Sequence, residues 1–137
     1  MSLRFGVCME EQEALQLNAL QLAYLGDSVW ELITRYDLLV RKLNVRHMNQ
    51  ECVSLVNAHA QAVLLESLRD SLTAAEAEIV RRGRNAHPKH TVPKNQSADD
   101  YAAATGFEAL IGFLYVTGND SRLREICQII DEVKSNV

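Results

Sequence analysis

Leu22-Ala23-Tyr24-Leu25-Gly26-Asp27-Ser28-Val29-Trp30-Glu31 places a glycine and an aspartate side by side within an otherwise apolar stretch. The flanking Leu22, Leu25, Val29, Leu32, Ile33, Tyr36, Leu39, Val40 and Leu43 recur at three and four residues. That spacing predicts a helix from about Asn18 to Leu43 with one buried face. Glycine inside a helix costs up to about 1 kcal/mol relative to alanine. Aspartate is also a poor interior residue, because its side chain competes for backbone groups. Two readings account for the pair. Either Asp27 faces solvent beside a glycine used for packing, or it points into a cleft where Gly26 lets a second helix come close.

The rest of the chain reads the same way. Val and Ile never alternate with polar residues over a strand length, so the expected class is all-α, a helical bundle. Further helices are expected over Glu10–Leu17, Asn49–Leu68, Thr73 to about Gly83, Ser97 to about Val116 and Ser121–Val133. Thr73 with Glu76 has the spacing of a capping box. Ser97 stands as an N-cap, with Asp99 and Asp100 in the first turn that follows. Thr117-Gly118-Asn119 marks a stop. With 137 residues, no internal repeat and no linker, the expectation is one domain over 1–137.

A second carboxylate stands out in Phe107-Glu108-Ala109-Leu110-Ile111-Gly112-Phe113-Leu114-Tyr115. Glu108 is the only charge between Tyr101 and Val116, and no Lys or Arg lies within one turn on its own helix. In such a setting a carboxylate must be paired, neutral, bound to a cation or at an exposed edge. Taken together, Asp27 and Glu108 are two hard oxygen donors on separate helices. That donor set suits Mg²⁺, which keeps several waters and takes one or two protein carboxylates, with substrate phosphates completing its shell.

The chain has 14 Lys and Arg against 18 Asp and Glu, a net charge of −4, but the distribution is uneven. From Ile79 to Ala98 there is no acid, and this window holds Arg81, Arg82, Arg84, His87, Lys89, His90 and Lys94. A basic island on an acidic body reads as a local anion site. Arg41, Lys42, Arg46 and His47 form a weaker second set. The three cysteines, Cys8, Cys52 and Cys127, are widely spaced and form no zinc pattern. His59, in an apolar helix without a Cys or His partner, reads as a packed or hydrogen-bonded residue. No apolar run approaches the ~18 residues of a membrane span, and the first residues lack a signal-peptide core. The expectation is a soluble, cytoplasmic protein with no membrane partner.

LAYLGDSVWE (Leu22–Glu31) resembles the signature of the ribonuclease III catalytic domain, and ATGFEALIGFLYV (Ala104–Val116) resembles that family's second motif helix. Their order and spacing fit as well, and the resemblance covers essentially the whole chain. It implies a ribonuclease III-like endonuclease domain that dimerises and cleaves double-stranded RNA with Mg²⁺, Mn²⁺ serving as a substitute. Asp27 and Glu108 are then the catalytic, metal-holding pair. Two acids usual in the family are replaced here by Ala23 and Thr105, and Asp100 and Glu31 are the nearest acids that would compensate. The resemblance uses up the sequence, so no separate RNA-binding domain is expected. In this the chain is similar to the bacterial Mini-ribonuclease III subfamily, which implies maturation of 23S ribosomal RNA precursor. The basic island would then hold RNA phosphates, and a homodimer would form through Leu22, Tyr24, Leu25 and Trp30. Two alternatives remain at this level. One is a non-catalytic, ribosome-associated RNA-binding scaffold of the same fold. The other is a nucleotide pyrophosphohydrolase, disfavoured because Glu10, Glu11 and Glu13 lack a partner set; no nucleotide cofactor is expected.

Overall fold

The computed structural model describes residues 8–86, 94 and 96–135. Among them the helices are α1 (Glu11–Leu15), α2 (Ala19–Val40), α3 (Val45–Val56), α4 (Ala58–Leu68), α5 (Ala74–Arg84), α6 (Ala98–Val116) and α7 (Asp120–Ser135). A 3₁₀ turn, Arg69–Ser71, joins α4 to α5, and the described residues contain no strand. The all-α expectation holds. The expected caps are present: Thr73 and Glu76 exchange hydrogen bonds at 3.2 and 3.0 Å, and Asp100 N donates to Ser97 Oγ at 3.3 Å. At the far end of α6, Gly118 takes φ +72°. Its N–H donates to Tyr115 O at 3.0 Å and that of Asn119 to Leu114 O at 2.9 Å, a Schellman closure of the helix.

Two expectations are corrected. The single helix over Asn49–Leu68 is in fact α3 and α4, broken at Asn57, whose backbone is extended at φ −73°, ψ 162°. Its side chain explains the break. Oδ1 accepts from Ala60 N at 2.9 Å and starts α4, while Nδ2 donates to Val53 and Ser54 carbonyls at 3.1 and 3.2 Å and closes α3. The second correction concerns α2. Its buried residues are Ala19, Leu22, Ala23, Gly26, Val29, Trp30, Thr34 and Leu38. Leu25, Leu32, Tyr36, Leu39 and Val40, placed by their spacing on the buried face, are exposed. The helix therefore carries two apolar faces, and only one of them is covered by the described residues.

The covered face packs on α6, which lies at the centre of the molecule against α2, α4, α5 and α7. Phe107, Leu110, Ile111 and Leu114 of α6 are almost completely buried. Trp30 meets Phe107 edge to face, with centroids 5.0 Å apart and planes at 88°, a favoured aromatic geometry. Where α2 crosses α6, the backbones touch. A methyl group added at Gly26 would overlap the Glu108 carbonyl oxygen and stand 2.8 Å from Gly112 N, and one at Gly112 would overlap the Leu22 carbonyl oxygen. Gly83 of α5 meets Gly106 on the other flank of α6 in the same manner.

A buried ion pair ties α7 to the start of α5. Arg122 Nε donates to Glu76 Oε2 at 2.8 Å and Nη2 to Oε1 at 2.9 Å, with Nη2 also reaching Ser71 O at 2.6 Å. Burial alone would raise the Glu76 pKa; bonding by Arg122 and Thr73 outweighs it and holds the carboxyl below its ordinary value.

The glycine crossing makes a prediction opposite in sign to helix propensity. Gly26→Ala should lower the urea-unfolding free energy by an amount at the upper end of the ~1–3 kcal/mol typical of overpacked cores. A variant as stable as wild type would contradict the backbone contact.

Candidate active site

Asp27 follows Gly26 on α2, and Glu108 is the residue whose carbonyl faces Gly26 from α6. The crossing therefore brings two carboxylate-bearing positions together without any intervening side chain. Asp27 is exposed and Glu108 half-buried. The Glu108 carboxyl is pushed up from 4.5 to about 8, chiefly by burial, then by its hydrogen bond to Asp27 and the Asp27 charge. Gln61, on α4, acts the other way and favours the carboxylate. Gly26 serves the close helix crossing that both readings of Gly26-Asp27 allow, and Asp27 beside it is exposed.

The remaining candidate acids do not join this pair. Ala23 and Thr105 are buried, and the Thr105 hydroxyl donates to Tyr101 O at 3.0 Å within its own helix. Asp100 lies eight residues before Glu108, roughly 12 Å along α6 at 1.5 Å per residue. It faces His59 instead, at 2.9 Å from Nδ1, so His59 is the hydrogen-bonded residue its setting predicted. Glu31 pairs with Arg35 at 2.9 Å. Among the described residues no three His, Cys, Asp or Glu side chains gather in a way that would hold a metal. The arrangement fits a hard divalent cation that takes two protein carboxylates and fills its other positions with water and phosphate oxygens. Two carboxyls in hydrogen-bond contact repel when both are ionised, and a cation between them relieves that repulsion.

The basic island divides by role. Arg81 Nε donates to Glu78 at 3.0 Å on the surface. Arg82 is half-buried, and its Nη2 donates to the Leu15 carbonyl at 2.8 Å, fastening the end of α1 to α5. Arg84 and Lys94 are exposed. His87, Lys89 and His90 lie outside the described residues. Of the second basic set, Arg41 pairs with Asp37 at 2.9 Å, and Lys42, Arg46 and His47 are exposed.

Sequence reasoning missed Gln61. It is 2% exposed, and it stands on the stripe of buried α4 residues 61, 64, 65 and 68. A polar residue in a three-and-four apolar repeat was the available signal.

Comparison with known proteins identifies the family. The ribonuclease III domain family model matches residues 20–119, which takes in both carboxylates. The chain belongs to the ribonuclease III domain family and is an endoribonuclease of that type. More particularly, it is 45% identical over 115 residues to Mini-ribonuclease 3 of Symbiobacterium thermophilum, covering 83% of this chain and 88% of that protein. It is 40% identical over 124 residues to Mini-ribonuclease 3 of Gloeobacter violaceus, covering 90% of each. A crystal structure of a Fusobacterium nucleatum protein superposes with a TM-score of 0.79 at 26% identity, over 94% of this chain and 100% of that one. Among the described residues no helix is long and apolar enough to cross a membrane.

The raised Glu108 pKa fixes a pH dependence. Below about pH 4.5 Glu108 is protonated whether the chain is folded or not. As pH rises, the unfolded chain releases the proton first, while the folded chain keeps it up to about 8. Without divalent cations, stability should therefore fall across that window and level off above it. Glu108→Gln should remove this decline in urea melts at a series of pH values. Parallel profiles for wild type and variant would contradict the assignment.

Proposed function

We propose that this chain cleaves double-stranded RNA with Mg²⁺, for which Mn²⁺ substitutes, and that Asp27 and Glu108 hold the cation. The observation that carries this reading is the contact of the two carboxyls across the Gly26–Gly112 crossing. A cation held there supplies positive charge that activates water and offsets the charge building on the scissile phosphate. The protein's part is to keep two oxygen donors side by side on packed helices, one half-buried and one open to substrate. Cleavage of 23S ribosomal RNA precursor, in the cytoplasm, is the finer reading. It is supported by similarity to proteins named Mini-ribonuclease 3 over most of their length. The non-catalytic scaffold reading is disfavoured by retention of both carboxylates in contact. Asp27→Asn and Glu108→Gln should each reduce cleavage of duplex RNA by at least about a hundredfold, in line with loss of a group that acts in the transition state. Circular dichroism and RNA gel shifts should match wild type. A variant cutting at near the wild-type rate would remove its residue from the site.

RNA phosphates are assigned to the basic island of Arg81, Arg82, Arg84, His87, Lys89, His90 and Lys94. Gly106 faces α5, whereas Glu108, two residues on, faces α2. The arginine-bearing end of α5 thus lies across α6 from Asp27, which separates binding from chemistry. Within the island Arg82 has a fold role through Leu15, so the informative variant is Arg84→Ala combined with Lys94→Ala. It should weaken binding of duplexes of any sequence and flatten the salt dependence by roughly 0.9 in slope per lost contact, if the duplex-DNA value carries over. Unchanged affinity and slope would move the footprint to Arg41, Lys42 and Arg46.

A homodimer is proposed through the uncovered face of α2. Leu25, Leu32 and Tyr36 recur along one stripe, with Tyr24 86% exposed beside them and Val45 of α3 70% exposed. Leu22 and Trp30, expected at this contact, are instead core residues. Two chains related by a twofold axis would bring one carboxylate centre to each strand of a duplex. Light scattering at micromolar concentration should give twice the 15.4 kDa chain mass; a purely monomeric species would contradict the proposal.

A further inference from the structure

His59 and Asp100 form a pair that the carboxylate centre does not use. They come from α4 and α6, 41 residues apart in the chain, and His59 Nδ1 lies 2.9 Å from Asp100 Oδ2. The histidine side chain is nonetheless 76% exposed. Exposed pairs of this kind contribute little to stability, so the fold gains little from holding the ring. What the pair fixes is orientation. The Asp100 carboxylate only accepts, so Nδ1 carries the shared proton, and in the neutral ring Nε2 is then an acceptor. Among the described residues Nδ1 is the ring's one bonded atom. The backbone is held too, since His59 lies in the first turn of α4, which Asn57 caps through Ala60 N at 2.9 Å.

The pair stands at a surface cavity of about 240 Å³ lined by Asn57, Ala58, His59, Gln96, Ser97 and Asp100. No lysine or arginine is among these residues, and Asp99 adds a second carboxylate-bearing position beside Asp100. That setting is poor for a phosphate and suits a neutral hydroxyl that donates to Nε2. Asp100 precedes Glu108 by eight residues on α6, roughly 12 Å along the helix and about 80° round it. A-form RNA displays 2′-hydroxyls on a wide, shallow minor groove, which an exposed side chain can enter.

We infer that His59 accepts a hydrogen bond from a ribose 2′-hydroxyl of the bound duplex, with Asp100 as the positioning residue that fixes its tautomer. The inference rests on the proposed action on double-stranded RNA. It adds what phosphate contacts lack, a means of telling ribose from deoxyribose.

The test measures binding of the full chain to two RNA duplexes of one sequence, in a chelator so that neither is cut. One duplex carries ordinary ribose. The other carries 2′-fluoro ribose, which keeps the A-form and cannot donate. His59→Phe should weaken binding of the ordinary duplex by about three- to tenfold, the worth of one neutral hydrogen bond. It should leave binding of the 2′-fluoro duplex at the wild-type value. The slope of log affinity against log salt should not change, since no phosphate contact is lost. Asp100→Ala keeps the ring and frees its orientation, so it should lose part of the same preference; it also carries the test should His59→Phe not fold. The double variant should lose no more than His59→Phe alone, because the two residues act as one unit. Wild-type affinity for the ordinary duplex in His59→Phe, equal weakening on both duplexes, or a flattened salt slope overturns the inference. The cleavage reading then stands, because the wild-type chain still binds the ordinary duplex and cuts it once Mg²⁺ is supplied. If the wild-type chain binds no ordinary duplex, the RNA reading itself fails and the inference falls with it.

Discussion

The backbone contact between Gly26 and Gly112 governs the rest of the molecule. Helices that meet through side chains normally keep their axes 8–10 Å apart. Here neither helix presents a side chain at the crossing, and a β-carbon on either glycine would overlap the opposite backbone. The chain accepts two helix-weakening residues at that point. In return, Asp27 and Glu108, each on a well-packed helix, are delivered into contact. Trp30 against Phe107 fills the space beside the crossing, and Gly83 against Gly106 lets α5 close on the opposite flank of α6. A site built this way is fixed by the core, so its geometry does not rely on loops.

The electrostatics follow from that placement. One carboxyl is exposed and the other half-buried, and burial is the larger cause of the raised Glu108 pKa. Glu108 therefore keeps its proton to about pH 8. Under the proposed function, a divalent cation and the phosphates of RNA would meet complementary needs there: the first would neutralise the carboxylates, and the second would complete the cation's oxygen shell. Arg84, of the basic island proposed to hold RNA phosphates, packs against Gly106 on the α5 flank of α6, away from the Gly26 crossing.

Most of the fold was legible in the sequence because helix signals are local. Thr73 with Glu76, Ser97 and Gly118 each act within one turn, and each behaves as its spacing implies. The failures came where a local pattern has two solutions. Asn57 sits in a continuous apolar repeat, yet its amide ends one helix and starts the next. The apolar stripe of α2 is real, but spacing alone does not say which apolar face finds a partner within the chain. Asp27 and Glu108 were legible as residues out of keeping with their surroundings. Gln61 is equally out of keeping, but an uncharged amide stands out less in an apolar repeat than a charge does. Asp100, on an extension of the Glu108 face, was drawn off by His59, a contact between residues 41 apart that no periodicity predicts.

The central claim is that the helix crossing builds a two-carboxylate cation site. Anomalous diffraction from crystals grown with Mn²⁺ tests it most directly. The account predicts an anomalous peak within bonding distance of carboxylate oxygens from both Asp27 and Glu108, with its remaining positions filled by water. Saturating Mn²⁺ with no peak there, or a peak bound to other side chains while the two carboxyls still hydrogen-bond each other, would contradict it.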